Sequence, residues 1–530
     1  MSGKKSKVIV IGLDGATWDI ICPLIQKNEL PTFRYLLENG VYGDLQSCIP
    51  PVTFPAWKCY STGKNPGKLG VYWWSKVNFK KRKFEIHDSK SFKSDELWDY
   101  LSKKDYKVGV INMPSTFPPK EVSGFMIAGF PAFEVNDYTY PKELKLELLE
   151  DFQYRVNPKH HIHVYKEEAL KDIEELINIR FKVAKKYLGY VDFLHLTIFY
   201  IDDIMHFFWN DKNLLLKFYK IIDSGIRELI EQDRSNSTIF LMSDHGFTGL
   251  KDTFYINEWL YQKNYLFKKK AQIKFLNKLF LNQDNLINIT KKTKIFPIIL
   301  DKVDRSLLIK LKKIIPTKAG EFNEEGAEKI IDFDKSLTVA LKQGPIYINK
   351  AKLTDSEYEK IRDDISYGLK QIIHPVTKEN IIKKVFKKEE VYKGNYLDDA
   401  PDLVILTNEG YEVDLILSLS SAPVMWESCK AETTQNKWVG THKMHGIFLA
   451  YGKNIKKGLK INGTKIYDLA PTILHIFKCP LPKDLDGRVI EEIFEDTSVL
   501  PKYFITNHNI DDEKYKIRQQ IRKLKKFKTI

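Results

Sequence analysis

An unbroken apolar run that stops at an acid constrains this chain most. Val8-Ile9-Val10-Ile11 reads as a buried parallel strand, and within three residues it reaches Asp14, followed at once by Gly15. A turn or an N-cap is the plain reading of such an Asp-Gly pair. The same pattern then recurs. Phe193–Ile201 and Thr238–Met242 are further apolar, β-rich segments, separated by a helical pattern around Leu214–Ile230. Lys107–Asn112, Asp402–Leu406 and Gly446–Tyr451 read as strands. Pro31–Asn39, Asp95–Ser102 and Tyr467–Phe477 read as helices, the first with Pro31 in its opening turn and Gly40 just past its end. Strands alternating with helices predict an α/β fold with a mostly parallel central sheet flanked by helices.

At 530 residues the chain is long for one simple core. The expected organisation is one catalytic domain over 1–500 with insertions, followed by a basic tail over 501–530. A mixed cap is expected at about 75–170 and a basic helical cap at about 261–328. A small strand–helix lobe is expected at about 340–395, with the sheet resuming near Pro401. Residues 261–320 carry fifteen Lys/Arg against three Asp, interleaved with Leu, Ile and Phe. A solvated helical insertion is the plain reading; a basic amphipathic surface facing anionic lipid or a polyanionic substrate is the sharper one. Nothing resembles a nucleic-acid module, so no nucleic-acid partner is expected. No apolar stretch approaches the roughly 20 residues that span a bilayer, and the basic start makes a poor signal peptide. A cytoplasmic protein, peripheral to the membrane at most, is the expectation. The five cysteines include no CxxC pair, which argues for free thiols and against a disulfide framework or a zinc–thiolate site.

Ligands of open parallel sheets gather at the carboxyl ends of strands. Asp14 is there. "DFLHLTIFYIDDIMHFFW" brings Asp202, Asp203 and His206, and "STIFLMSDHGF" brings Asp244 and His245. "GTHKMHG" brings His442 and His445. One such residue means little, but carboxylates and imidazoles from four segments suit Zn²⁺ or a similar ion. Crowded carboxylates without a cation would repel one another. Two metal ions relieve that repulsion and form a site for displacement at phosphorus. Asp202 and His206, four apart, share one face of a helix and can share a metal, whereas Asp203 reads as a helix-start charge. Thr53, between Pro51 and Pro55 and close to a helix start, is the candidate nucleophile, with an ordinary cap as the plain alternative. Ser61 and Thr62 are rival hydroxyls two turns further in.

"GLDGATWD", "PPVTFPAW" with "STGKNPGKLG", "DDIMHFFW", "SDHGF", "GTHKMHG" and "YDLAPTILHIFKCPLPKDLDGR" occur in this order. Together they resemble the alkaline phosphatase superfamily, in particular its type I phosphodiesterase/nucleotide pyrophosphatase branch. The resemblance covers about 1–75, 190–260 and 395–495. It implies that Asp14, Thr53, Asp244 and His245 hold one zinc, and that Asp202, His206 and His442 hold the second. It implies attack by Thr53 on phosphorus and hydrolysis of the resulting phospho-threonine. It favours His442 over His445 as the ligand. Leu69 stands where many relatives carry His, a position read as structural or substrate-facing. The expected function is hydrolysis of phosphoric diesters or pyrophosphates with two divalent ions, Zn²⁺ first and Mn²⁺ or Fe as alternatives. A phosphotransferase acting on an envelope glycan or lipid-linked substrate, and an inactive scaffold of the same fold, are the competing readings.

Overall fold

β1 (Val8–Leu13) lies at the middle of a nine-stranded sheet, and all six of its residues are buried. The remaining strands are β2 (Gly40–Gln46), β3 (Val108–Ile111), β4 (Gly124–Ile127), β5 (Thr139–Tyr140), β6 (Phe193–Ile198), β7 (Thr238–Met242), β8 (His445–Gly452) and β9 (Leu459–Lys465). Their order across the sheet is β9-β2-β8-β7-β1-β6-β3-β4-β5. β7, β1, β6, β3 and β4 pair in parallel, in the registers Val8↔Thr238 and Val8↔Phe193 about β1. Residues of β6 and β7 are fully covered, as expected for strands buried on both faces. Helices flank the sheet; Lys166–Tyr187 and Lys212–Gln232 pack together as a long pair.

The computed structural model describes residues 7–162, 166–233, 237–269, 321–322, 324–418, 426–428 and 438–496. Most of the basic insertion expected at about 261–328, namely 270–320, and the basic tail at 501–530 lie outside the described residues. The chain divides into two units. One comprises Met1–Val71, Asp88–Gly249 and His442–Ile530 and holds the nine-stranded sheet; the other comprises Tyr72–His87 and Leu250–Thr441. The second unit has its own antiparallel sheet, ordered Thr338–Ala340, Pro345–Ile348, Leu403–Thr407, Ile382–Lys387, with the helix Asp355–Lys370 against it. No helix among the described residues is long and apolar enough to cross a membrane.

Two expectations are corrected here. The strand near Asp402–Leu406 forms, as Leu403–Thr407, but it belongs to the second unit's sheet; the large sheet resumes only at β8. The stretch 75–170, expected as a cap, supplies β3, β4 and β5 to that large sheet. Of these, β3 coincides with the strand read at Lys107–Asn112; β4 and β5, four and two residues long, are too short to show a period against the surrounding aromatic and charged residues.

β8 departs from the parallel pattern in a way that matters for the site, while β9 pairs in parallel with β2. β8 runs antiparallel to both β7 and β2. A residue just before β8 therefore lies at the rim where the parallel strands end. β2 in turn points the same way as β1 and β7, so its carboxyl end delivers the loop 47–52 to that rim.

Candidate active site

Asp14, one residue beyond β1, is completely buried, and its backbone N–H donates to Ile198 O. The turn after it needs Gly15. Gly15 has φ +67°, and a Cβ there would lie 2.9 Å from Asp202 Oδ1. Its N–H donates to Asp244 Oδ1 at 3.1 Å, which ties the end of β1 to the end of β7. The Trp57 indole donates to Asp14 Oδ2 at 2.9 Å.

His245 stands at the centre. Its Nε2 is 3.2 Å from Asp244 Oδ2, 3.6 Å from Asp14 Oδ1 and 3.2 Å from Thr53 Oγ1. Its Nδ1 faces Gly246 O at 3.1 Å. A carbonyl only accepts, so Nδ1 carries the proton and the Nε2 lone pair is left for the cluster. Burial pushes the ring's pKa down to about 4, so it is neutral at pH 7. The His442 ring stacks on it, with centroids 3.7 Å apart.

The other half of the cluster comes from the helix Ile201–Phe208 and from His442. His206 Nε2 lies 3.2 Å from Asp202 Oδ2 on the same helix and 3.1 Å from His442 Nε2. His442 Nε2 lies 3.4 Å from Asp202 Oδ1. Burial would raise Asp202, but His206 and His442 beside it outweigh that and hold its carboxyl well below the usual range. Asp14 and Asp244 are pushed upward, first by burial and then, for Asp14, by Asp244 and Asp202.

Thr53 opens the helix Thr53–Thr62, whose ten residues are all buried. Ser61 and Thr62 are committed elsewhere: Ser61 Oγ donates to Glu96 Oε1 at 2.9 Å and Thr62 Oγ1 to Lys58 O at 2.6 Å. Asp203 is half-buried in the first turn of its helix, and burial, then the charge of Asp202, pushes its carboxyl up to about 7. His445 is exposed on β8 opposite Gln46, outside the cluster, and Leu69 is buried.

The donor set fits divalent cations. Asp14, Asp244 and His245 form one group and Asp202, His245 and His442 another, each with one ligand atom per residue lying within 4.8 Å of the others. Asp14 Oδ1, Asp202 Oδ1 and Asp244 Oδ2 are buried without a hydrogen-bond partner, the condition that a cation would relieve. His206 adjoins the second group through its contacts with Asp202 and His442. The sequence expectation divided the residues somewhat differently, placing His245 only in the group of Asp14, Thr53 and Asp244; here His245 is common to both groups. Trp57 was the residue that sequence reasoning missed. Its one signal is a position four residues after Thr53, on the same helix face.

Four cysteines, Cys22, Cys48, Cys59 and Cys479, are free thiols, and Cys429 lies outside the described residues.

No curated protein matches the chain. Among solved structures, human ectonucleotide pyrophosphatase/phosphodiesterase 5 is 14% identical over 93% of this chain and 100% of its own, with a TM-score of 0.51. Phosphonoacetate hydrolase from Sinorhizobium meliloti 1021, bound to phosphonoformate, is 12% identical over 90% of this chain and 96% of its own, with a TM-score of 0.54. At these identities the likeness is one of fold, and the fold is that of the alkaline phosphatase superfamily. The model for type I phosphodiesterase / nucleotide pyrophosphatase matches residues 8–442. That match begins at β1, ends at His442 and takes in every clustered side chain: the chain belongs to the type I phosphodiesterase/nucleotide pyrophosphatase family and is a hydrolase of that type.

Proposed function

We propose that the chain hydrolyses phosphoric diester or pyrophosphate bonds in two displacements at phosphorus, with Thr53 as the nucleophile and two divalent ions, Zn²⁺ in the first place, held by Asp14, Asp244, His245, Asp202, His206 and His442. One observation carries this reading: Thr53 Oγ1 lies 3.2 Å from Nε2 of His245, the residue common to both ligand groups. Cations held by these residues would supply positive charge to the displacement and would favour the ionised form of a neighbouring hydroxyl.

The chain's own residues do the rest. Thr53 Oγ1 gives up its proton to solvent and forms a bond to phosphorus as the bond to the leaving oxygen breaks, and that oxygen departs with the electron pair. The product is a phospho-threonine. A water oxygen then attacks the same phosphorus from the vacated side, the Thr53–phosphorus bond breaks, and the threonine oxygen takes up a proton. Thr53 sits at a helix N-terminus, where the backbone favours the anionic phosphoryl group through both steps. The Nδ1 contacts of His245 and His442 to Gly246 O and Pro51 O hold both rings in the tautomer whose Nε2 can ligate.

The test is turnover of a chromogenic phosphodiester by zinc-loaded protein, with and without an added alcohol. Release of free phosphomonoester in water is the expected result. Formation of the alcohol's phosphoester as the main product would make the protein a transferase, and no turnover of diesters or pyrophosphates would overturn the reading.

A further inference from the structure

Trp57 and Asp14 are both completely buried, and the indole Nε1–H donates to Asp14 Oδ2 at 2.9 Å. The bond takes up one carboxylate oxygen. The other, Oδ1, has no hydrogen-bond partner and points to His245 Nε2 at 3.6 Å. The two oxygens of Asp14 thus have separate uses, and the indole decides which is which.

The surroundings hold the indole in place. Gly12 is two residues before Asp14 on β1 and so projects to the same face. A Cβ at Gly12 would come within 2.4 Å of Trp57 Cη2 and 2.8 Å of Cζ3, so the six-membered ring lies directly on the bare strand while the five-membered ring reaches Asp14. Tyr60 and His195 meet the indole edge-on, with centroids 6.0 and 5.8 Å away. Trp57 is also one helical turn beyond Thr53. One side chain therefore fixes the carboxylate that closes a ligand group and joins it to the helix that carries the hydroxyl.

We infer that Trp57 is a positioning residue for metal binding: it reserves Asp14 Oδ2 and so presents Oδ1 alone to a divalent cation in the group formed with Asp244 and His245. The inference rests on the two-metal reading above and adds the residue that sets the ligand's orientation.

The experiment is competition for Zn²⁺ between the full-length protein and a chromophoric chelator, which reads affinity and stoichiometry without reference to turnover. Wild type is compared with Trp57→Phe, which removes the N–H, and with Trp57→His. Imidazole Nε2 lies the same number of bonds from Cβ as indole Nε1 and can donate in its place. Trp57→Phe is expected to weaken one of the two zinc equivalents by about ten- to hundredfold and to leave the other unchanged. Trp57→His is expected to recover most of that loss. A packing role alone gives the opposite order, because histidine leaves the larger void. If Trp57→Phe does not fold, 3-benzothienylalanine introduced at position 57 keeps the bicycle, lacks the N–H, and is expected to show the same selective loss. Wild-type affinity at both sites in the variants lacking the N–H, or a loss in Trp57→His as large as in Trp57→Phe, would overturn the role of Trp57 and leave the two-metal reading standing. Wild type that takes up no zinc would overturn both.

Discussion

His442 Nδ1 faces the carbonyl oxygen of Pro51 at 3.1 Å. The contact joins the latest site residue in the sequence to the loop that leads into Thr53, two residues on. It also sets the tautomer: Nδ1 must donate, and Nε2 is left facing Asp202 and His206. His442→Ala is expected to lose one equivalent of zinc and to lower turnover by about a hundredfold or more. Metal analysis of the purified variant alongside a chromogenic phosphodiester assay checks both. Two retained equivalents would remove His442 from the ligand set.

Thr53→Ala separates the proposed nucleophile from the proposed metal site. Three carboxylates and three imidazoles remain, so metal content is expected to stay nearly intact while hydrolysis falls by at least about a thousandfold. Turnover equal to wild type would take Thr53 out of the mechanism.

His195, deep in β6, shares hydrogen bonds with the Tyr60 hydroxyl at 3.0 Å and the Thr197 hydroxyl at 2.7 Å. Burial pushes its pKa down from 6.5 to about 3. Below pH 6.5 the unfolded chain takes up this proton and the folded chain does not. The stability it contributes is therefore present above 6.5 and is lost as the pH falls from there toward 3. At pH 5 the loss amounts to about 2 kcal/mol relative to neutral pH. Urea unfolding between pH 7.5 and 5 is expected to show a shallower acid decline in His195→Gln than in wild type. Parallel declines would refute the assignment.

Beneath the Thr53 helix, Glu96 accepts from Lys58 Nζ and from Lys120 Nζ, each at 2.7 Å, and from Ser61 Oγ. Burial would raise Glu96, but Lys120 and Lys58 prevail and bring it down to about 2. Lys58 is itself buried, so Glu96→Ala leaves a covered ammonium without its partner. The expected cost is about 3–5 kcal/mol. Chemical denaturation measures it, and a change below 1 kcal/mol would show that Lys58 finds another partner or water.

Much of this site was legible because its parts are local. An apolar run that ends in Asp, as at Asp14 and Asp244, reads directly from the sequence, and so does Asp202–His206 on one helical face. Thr53 was legible from its flanking prolines. His442 was placed at the correct rim although it precedes its strand, and an antiparallel β8 is what makes that placement hold; the parallel reading of the sheet did not foresee it. The strand Leu403–Thr407 looked like a member of the large sheet because its apolar pattern fits either sheet, and only pairing decides between them. Trp57 was invisible for a related reason. A hydrogen bond from an indole to a carboxylate 43 residues away is set by the register of a helix on a strand, which no local pattern records.

The helix that begins with Thr53 has no exposed residue along its length. On the mechanism proposed above, the attacking hydroxyl is mounted on a rod gripped from every side, and the substrate has to arrive correctly aimed. Tolerance for different alcohols or phosphates then belongs to whatever grips the departing half of the molecule. On that mechanism reactivity and appetite rest on different contacts, and selection can alter the second while leaving the first untouched.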